Sequence, residues 1–465
     1  MEDNTMVKIK NEQELISNAV SASTRRARRL ALEAVKAAIE AVDPRGIILS
    51  KFLLRNDELT VAGKVFDLRK FKRIYVVGGG KAGGPMAEAL EEILGARVTG
   101  GVVNVPSGSG GCFTTRRVEL NEASHPIPNE AGVEGTRRML EIAEEAGEED
   151  LVLCIISGGG SSLMPQPREG ISLEDKRRVT DILLKCGATI NELNTVRKHL
   201  SRFKGGWLAK TAYPATVVSL LLSDVVGDPL DTIASGPTVP DSTTFKDAIA
   251  ILEKYGVWRD VPASVRELLM KGREGLIPET PKEGDREFDR VYNFVVGNNR
   301  TACLAALEKL RKAGLNVEFV TSYMEGEARE VGTLLGAIVR ELVATENPLP
   351  RPAALIFGGE TTVTVKGDGT GGRNQELALG AALKISGLDG VVICSVGTDG
   401  VDGPTDAAGA IVDGGTLSRA EERGLDPVKF LQNNDTYGFF SKLGDLIFTG
   451  PTGTNVTDIS LIIRV

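Results

Sequence analysis

The chain has 465 residues, of which 42% are hydrophobic and 25% are charged, and its formal net charge is -8. That length favours two domains over a single core, and the negative balance argues against nucleic acid as a partner, because phosphate backbones require a basic surface. No apolar run is long enough to span a bilayer and the first residues lack a signal-peptide pattern, so we expect no membrane partner and a cytoplasmic location. With only two histidines, His125 and His199, a histidine-ligated metal or a Ser-His-Asp triad is disfavoured.

The first informative stretch is a short strand that runs into a glycine loop. Ile74 to Val77 is an apolar, β-branched segment typical of a buried parallel strand. Gly78, Gly79 and Gly80 follow it, and Pro85 suits the start of a helix. Such a turn points unpaired N–H groups at one spot and attracts anions. We therefore predict that Lys81, within this loop, binds a carboxylate or a phosphoryl group; the alternative is a solvated lysine beside a structural turn.

Two further strands lead into loops suited to ligands. Asp150 to Ile156 ends in Ser157-Gly-Gly-Gly-Ser-Ser162, whose hydroxyl and N–H groups suit an anion. Ala215 to Leu222 is followed by Asp224, a carboxylate at the strand tip that is well placed for a metal or a substrate hydroxyl. Because the carboxyl ends of parallel strands share one edge of a sheet, both glycine loops should open there. The residues predicted to bind the cofactor are Gly79, Gly80, Ser157, Gly158, Gly159, Gly160, Ser161 and Ser162.

Three stretches give weaker signals. The predicted helix from Thr24 to Val42 begins with four arginines, which we interpret as a solvated face rather than an anion site. The segment from Asn191 to Lys204 is basic, and a substrate-facing helix and a solvated face are equally supported. Residues 241–290 are charged and contain several prolines, so we place the connection between domains there.

The α/β pattern then restarts with a strand at 291–296. A glycine turn leads to a helix that begins near Arg373, and the strand Val391 to Val396 ends in Gly397-Thr-Asp-Gly-Val-Asp-Gly403. Asp399 and Asp402 in this loop are candidate ligands for Mg²⁺, which prefers carboxylates, phosphate oxygens and water. The alternative is a structural or Ca²⁺-type turn, although no glutamate closes the loop as an EF-hand requires.

The first glycine loop formally matches G-x-G-x-x-G, through Gly78, Gly80 and Gly83. A dinucleotide site would also want an acid after the next strand, but that strand ends in Asn104-Val-Pro106, and no Walker A or protein-kinase signature is present. Phosphoryl transfer by charge neutralisation and positioning needs cations and acids in N–H-rich loops and does not need histidine. Lys81, Arg373, Asp224 and Asp399 supply such a set.

Seven motifs, spread in order over nearly the whole chain, are together typical of one protein family. They are Val77-Gly-Gly-Gly-Lys-Ala-Gly83, Ile156-Ser-Gly-Gly-Gly-Ser-Ser162, Leu222-Ser-Asp-Val-Val-Gly-Asp228 with Ala234-Ser-Gly-Pro-Thr238, Gly358-Gly-Glu-Thr361, Gly371-Gly-Arg-Asn-Gln-Glu376, Gly397-Thr-Asp-Gly-Val-Asp-Gly403 and Thr452-Gly-Thr-Asn455. Together they resemble the glycerate 2-kinase family, two-domain kinases with a C-terminal MOFRL domain. The resemblance implies an α/β fold in two domains, an N-terminal Rossmann-like doubly wound sheet and a C-terminal MOFRL-type domain, with the active site in the interdomain cleft. Our predicted boundaries are 1–245, a connecting segment at 246–289, and 290–465.

The resemblance also implies ATP- and Mg²⁺-dependent phosphorylation of D-glycerate, with 2-phosphoglycerate as the expected product. By analogy, Lys81 and Arg373 are the catalytic cations, and Asp224 and Asp399 the acidic partners. We expect the nucleotide on the N-terminal glycine loops and Mg²⁺ on Asp399 or Asp402. The alternatives are an NAD(P)-dependent hydroxypyruvate reductase and a non-catalytic sugar-phosphate sensor. The sequence leaves the oligomeric state open, a homo-oligomer included.

Overall fold

The computed structural model describes residues 7–465. The signal-peptide expectation rests partly on residues 1–6, which lie outside the described part. The chain divides into two compact units: one contains the described residues up to Asp43 together with Gly297–Val465, and the other is Pro44–Val296. Among the described helices, none combines the length and the apolar character that a membrane crossing requires.

Seventeen helices and fifteen strands are present in the described residues. The strands are β1 Phe52–Arg55, β2 Glu58–Val61, β3 Lys64–Asp67, β4 Arg73–Gly79, β5 Val98–Pro106, β6 Val118–Ala123, β7 Asp150–Ile156, β8 Thr216–Leu222, β9 Val291–Gly297, β10 Asn316–Met324, β11 Ala353–Gly359, β12 Val391–Gly397, β13 Gly409–Asp413, β14 Leu446–Ile447 and β15 Asp458–Arg464. The helices are α1 Glu12–Ser17, α2 Ala22–Glu40, α3 Pro44–Lys51, α4 Gly83–Leu94, α5 Glu130–Glu145, α6 Gly160–Leu163, α7 Leu173–Lys185, α8 Ile190–His199, α9 Trp207–Ala212, α10 Phe245–Lys254, α11 Ala263–Arg273, α12 Asn299–Lys312, α13 Ala328–Thr345, α14 Arg373–Ile385, α15 Thr416–Glu422, α16 Pro427–Gln432 and α17 Thr436–Leu443.

The Pro44–Val296 unit is built on a six-stranded sheet with the order β6-β5-β4-β7-β8-β9. The strands from β4 to β8 pair in parallel. When the strands of this sheet alone are numbered along the chain, the order is 3-2-1-4-5-6, that of a Rossmann-like doubly wound sheet, so the predicted fold is confirmed. Every residue of β7 and β8 is buried, as their continuous apolar runs predict for strands covered on both faces.

The second unit holds a mixed six-stranded sheet with the order β10-β11-β15-β12-β13-β14. The C-terminal strand β15 runs antiparallel to both of its neighbours, β11 and β12. Helix α14 packs against β12 and β13, and its residues Asn374 to Ala382 are all buried. The predicted α/β class is therefore confirmed for this unit as well.

The unit boundaries differ from the predicted ones, and three contacts explain the difference. Strand β9 completes the first sheet rather than opening the second domain. Helices α10 and α11, within the predicted connecting segment 246–289, pack with α8 in one apolar cluster of the Pro44–Val296 unit. Helix α2 packs against α12 and β12 and so belongs to the unit that contains Gly297–Val465. The small antiparallel sheet β1-β2-β3 is an addition that the sequence patterns did not predict.

One arginine of α2 contradicts the predicted solvated face. Arg25, Arg26 and Arg29 are exposed as expected, but the Arg28 side chain is completely buried. Its Nη2 atom lies 2.6 Å from Oδ2 of Asp413, and its Nη1 lies 2.8 Å from Oδ1 of Asp445. A buried guanidinium requires such carboxylate partners, and both of them come from the C-terminal half of the chain.

Candidate functional site

The two glycine loops meet where the strand order of the Rossmann-like sheet reverses. Strands β4 and β7 are neighbours there, and Gly79 lies opposite Ile156. The Lys81 N–H donates to the carbonyl of Gly158 at 2.8 Å, and the Ala82 N–H donates to Oγ of Ser157 at 2.9 Å. Ligands of such sheets bind at this reversal point, and the expectation that both loops open at one edge is confirmed.

Glycine is required in both loops by close approach. Gly80 has φ +149°, and a Cβ atom built on it would lie 2.1 Å from Oγ of Ser157. Gly158 has an ordinary φ, but a Cβ atom there would lie 2.2 Å from Oδ2 of Asp224. The loops are therefore packed against each other and against Asp224 with no room for a methyl group.

Three chemically active side chains surround the second loop. Asp224 contacts Gly158, and a Cβ atom on Gly159 would lie 2.9 Å from Cδ2 of His125 and 3.3 Å from Cγ of Lys81. Lys81 is exposed and Asp224 is half-buried. The structure thus brings together two of the predicted residues, Lys81 and Asp224.

His125 is a member of this group that sequence reasoning missed. Its partial burial and, secondly, the charge of Lys81 lower the pKa of its imidazole, which favours the neutral form. The signal available in the sequence is the proline-rich stretch from Glu122 to Asn129 after β6, which predicts a fixed loop that carries His125. Because β6 belongs to the same parallel sheet, that loop also leaves from the edge where the glycine loops lie.

The serines of the second loop divide into two roles. Ser157 is buried, and its Oγ accepts from a backbone N–H, so it holds the two loops together. Ser161 lies 3.2 Å from Ser235, Oγ to Oγ, and Ser235 donates to Oδ1 of Asn194 at 3.0 Å. Ser161 and Ser162 also line a cavity of about 660 Å³, so this end of the loop is open to a ligand.

Arg373 lies in the other unit, at the first residue of α14. Its Nε lies 2.5 Å from Oδ2 of Asp458 and its Nη2 lies 2.9 Å from Oδ1. Its Nη1 lies 3.0 Å from Oε1 of Glu360. Burial alone would lower the pKa of Arg373, but Asp458 and Glu360 raise it above its ordinary value, so the guanidinium stays charged and fixed in orientation.

Sheet topology explains why these residues meet. Because β15 is antiparallel, its first residue, Asp458, lies opposite the last residues of β11 and β12, Gly359 and Gly397. A Cβ atom on Gly397 would lie 3.3 Å from Oδ1 of Asp399 and 3.4 Å from Oδ1 of Asp458. Arg373 and Asp399 are therefore assembled around Asp458, a residue whose role the sequence patterns did not indicate.

The two predicted metal ligands have different surroundings. Asp402 is fully buried, and its two oxygens accept from the N–H groups of Asn374 at 3.1 Å and Gln375 at 2.9 Å. Burial and, secondly, the charge of Asp458 raise its pKa to about 6. Both oxygens thus bind the start of α14, which disfavours Asp402 as a direct metal ligand. Asp399 is half-buried, and its Oδ1 accepts from the Val401 N–H at 3.0 Å.

A protein-only metal centre finds no support in residues 7–465, where no group of three or more His, Cys, Asp or Glu side chains is arranged for one. A magnesium ion that is held mainly by phosphate oxygens and water needs only one or two carboxylates. Asp399 fits that requirement.

Comparison with known proteins agrees with these features. Residues 30–270 match the model of a domain of unknown function, DUF4147, and residues 353–458 match the MOFRL family. A relative from Thermotoga maritima named D-glycerate 2-kinase is 46% identical over 433 residues, which cover 93% of this chain and 97% of the relative. A relative from Agrobacterium vitis, whose name gives hydroxypyruvate reductase as a provisional assignment, is 42% identical over 84% of this chain and 87% of its own length.

Similarity extends to solved structures. A crystal structure of glycerate kinase from Thermotoga maritima superposes with a TM-score of 0.83 at 45% identity, covering 94% of this chain and 99% of that one. Identity at this level over both units excludes a likeness limited to one domain. The chain belongs to the glycerate 2-kinase family, the kinases that carry a MOFRL domain.

Proposed function

We propose that this chain transfers the terminal phosphoryl group of ATP to the 2-hydroxyl of D-glycerate, giving 2-phosphoglycerate and ADP. Membership of the glycerate 2-kinase family supports the reaction class. The observation that carries the proposal is the contact of Lys81 and Asp224 with one N–H-rich loop at the reversal point of the sheet. This combination puts a cation, an acid and backbone donors where a phosphoryl group would be transferred.

The residues of the Pro44–Val296 unit would act on the substrate and the transferring group. Asp224 would accept the proton of the glycerate 2-hydroxyl. The hydroxyl oxygen would form a bond to the terminal phosphorus of ATP, while the bond from that phosphorus to the leaving ADP oxygen breaks. Lys81 would neutralise the glycerate carboxylate or the transferring phosphoryl group. Glycines 79 and 80 and the loop from Ser157 to Ser162 would hold the nucleotide phosphates by their N–H and hydroxyl groups.

Arg373 and Asp399 are the site residues predicted in the unit that contains Gly297–Val465, and each would have a role in phosphoryl transfer. Arg373 keeps N–H groups beyond those used by Asp458 and Glu360 and would bind an anionic oxygen of a substrate. Asp399 would hold Mg²⁺, with Asp402 positioning the start of α14 beside it. Bound Mg²⁺ would neutralise charge on the nucleotide phosphates.

The first test is the variant Lys81→Ala. We expect it to lose glycerate-dependent ADP formation while it keeps the wild-type melting temperature, because Lys81 is exposed and only its backbone joins the loops. A matched control is Lys72→Ala, which removes a 72%-exposed lysine immediately before β4, the strand that leads to Lys81. Near-wild-type turnover of Lys81→Ala would remove Lys81 from the mechanism.

The position of phosphorylation needs a separate measurement. Phosphorus NMR of the product made from ATP and D-glycerate distinguishes 2-phosphoglycerate from 3-phosphoglycerate and reports activity in the same experiment. We expect the 2-isomer. A product that is entirely the 3-isomer would contradict the proposed regiochemistry while leaving the kinase activity intact.

A reductase is the second candidate, because one relative has that provisional name and the first loop matches G-x-G-x-x-G. The position where a ribose-binding acid would stand is near Asn104, which is fully buried. Its amide donates to the carbonyls of Gly132 at 3.1 Å and Leu163 at 2.6 Å. That amide is engaged in the fold, which counts against a dinucleotide. Consumption of NADH with hydroxypyruvate in the absence of ATP would revive this candidate.

A further inference from the structure

The cavity beside the second glycine loop carries an unusual concentration of positive charge. Its volume is about 660 Å³, and its wall includes Ser161, Ser162 and the cations Lys176, Arg197 and Lys204. Arg177 and Arg178 add charge at the wall, against only Glu174 and Asp181 of opposite sign. An excess of cations around a concave space indicates an anionic ligand.

The three inner cations lack carboxylate partners. Nζ of Lys204 donates to the carbonyls of Ser161 at 2.7 Å and Met164 at 3.1 Å, and Nζ of Lys176 donates to the carbonyl of Pro165 at 2.7 Å. The Arg197 side chain makes no hydrogen bond or ion pair to any described residue. Lys198, next to Arg197 in sequence, shows the contrast: it is buried and pairs with Asp231 and Asp241, whereas the half-buried Arg197 has no carboxylate partner among the described residues.

Without a counter-ion, burial disfavours the charged forms of Lys176 and Lys204. Lys204 is 2% exposed and Lys176 is 8% exposed. Burial and the charge of Arg197 lower the pKa of Lys176 to about 7, and burial with both neighbouring cations lowers the pKa of Lys204 well below its ordinary value. A buried charge without a counter-ion costs stability, and a bound polyanion would supply the missing negative charge.

The rest of the wall decides which anion fits. Pro126, Ile127, Pro165, Leu173 and Leu184 add apolar surface to the wall of the cavity. A pocket of this volume, lined by both apolar and basic side chains, suits a ligand of drug-like size with a flat apolar part and a charged tail. A three-carbon hydroxy acid is much smaller and has no apolar part.

We propose that this cavity is the nucleotide pocket, with the polyphosphate against Arg197, Lys204 and the Ser161–Ser162 end of the second glycine loop, and the base against apolar residues of the wall. The inference rests on the proposed function only in identifying the polyanion as the nucleotide donor. It adds Lys176, Arg197 and Lys204 to the binding residues and places the nucleotide in the Pro44–Val296 unit.

The test measures ADP binding by calorimetry in excess Mg²⁺, together with the KM for D-glycerate, in wild type and Arg197→Gln. We expect the ADP dissociation constant to rise by about tenfold to a hundredfold, the effect of losing hydrogen bonds between charged groups, and the glycerate KM to stay unchanged. Arg197→Gln without ligand should melt at or above the wild-type temperature, because the change removes an unpaired charge. Arg197→Lys should recover part of the affinity. The control Lys271→Gln removes an exposed lysine that pairs with Glu267 on α11 and should bind ADP as wild type does.

The outcomes separate the two proposals. Wild-type ADP affinity in Arg197→Gln would overturn the pocket assignment, and so would a raised glycerate KM with unchanged ADP affinity, which would make the cavity a carboxylate site. If wild type binds ADP and fails to phosphorylate glycerate, the proposed function falls. In that case loss of ADP binding in Arg197→Gln would still support the pocket.

Discussion

Replacing Gly158 by alanine should inactivate the enzyme through Asp224. All three of the nearest atoms to a Cβ built on Gly158 belong to Asp224, and its Oδ2 would lie only 2.2 Å away. Real Cβ atoms essentially never approach another heavy atom within 3.0 Å, so the carboxylate must move by about 1 Å, a displacement that costs about a hundredfold in rate when it misplaces a reacting group. We therefore expect kcat to fall by about a hundredfold, or about 2.7 kcal/mol of transition-state stabilisation.

The assay is steady-state ADP release with D-glycerate, combined with a double-mutant cycle. Asp224→Ala removes the carboxylate and makes room for the methyl group. If Gly158→Ala acts only by displacing Asp224, the double variant should be no slower than Asp224→Ala alone. Gly111→Ala is the matched control, because its Cβ would meet no heavy atom within 4 Å and its φ is not positive.

Two results would refute this reasoning. Wild-type turnover in Gly158→Ala would mean that Asp224 can move without consequence and therefore does not act on the substrate hydroxyl. Losses that add in the double variant would mean that Gly158 contributes independently, for example through the backbone that accepts the Lys81 N–H.

Three further predictions concern individual charged side chains. Arg28→Met should lower the free energy of unfolding by about 3–5 kcal/mol in urea denaturation, because it strands buried carboxylates. Lys81→Met should raise the pKa of His125 in an NMR titration, since burial and the lysine charge together lower it in wild type. Asp402→Asn should remove a pH dependence of stability followed by thermal melting. The folded state retains a proton on Asp402 up to about pH 6, so wild-type stability should fall by about 3 kcal/mol as pH rises from about 4 to 6.

Each of these three predictions has a control and a result that would contradict it. Arg29→Met removes an exposed arginine on the same helix as Arg28. If it lowered the free energy of unfolding as much as Arg28→Met does, the buried ion pairs of Arg28 would not be the source of the stability. The titration of His125 in the wild type is the reference, and an unchanged His125 pKa in Lys81→Met would mean that the lysine charge does not act on this imidazole. A wild-type slope of stability with pH that persists in Asp402→Asn would assign that slope to other carboxyl groups.

The parts of the fold that the sequence predicted are those with strong local signals. Strand β7 reads as one apolar run, and its glycine loop follows within two residues, so strand, loop and sheet edge were all available from a short window. The coming together of Lys81 and Asp224 then required only the rule that parallel strands share one edge for their loops. The hydrogen bonds between the two loops confirm the prediction that both loops lie at one edge of the sheet.

Residues that act through distant partners were missed for a common reason. Asp458 binds Arg373, although the two residues are 85 positions apart in the sequence. The antiparallel pairing of β15 with β12 places Asp458 there, and no local sequence pattern predicts that pairing. The segment from Asn191 to Lys204 left a solvated and a ligand-facing interpretation equally open, and the structure favours neither as a whole. It buries Lys198 in ion pairs and leaves Arg197 open to the cavity. Charge patterns give composition along a helix, whereas the fate of each charge depends on which carboxylates the tertiary fold supplies.

The burial of Arg28 is partly predictable from the spacing of apolar residues along α2. Arg28 stands four residues before Leu32, seven before Val35 and eleven before Ile39, all of which are buried at helical spacing. Periodicity therefore places Arg28 on the apolar stripe and not on the solvated side with Arg25, Arg26 and Arg29. A guanidinium on such a stripe requires buried carboxylates, so α2 must pack against whichever part of the chain provides them. Asp413 and Asp445 provide them, and this pairing assigns the N-terminal helix to the C-terminal sheet, an assignment that a boundary drawn along the sequence cannot reach.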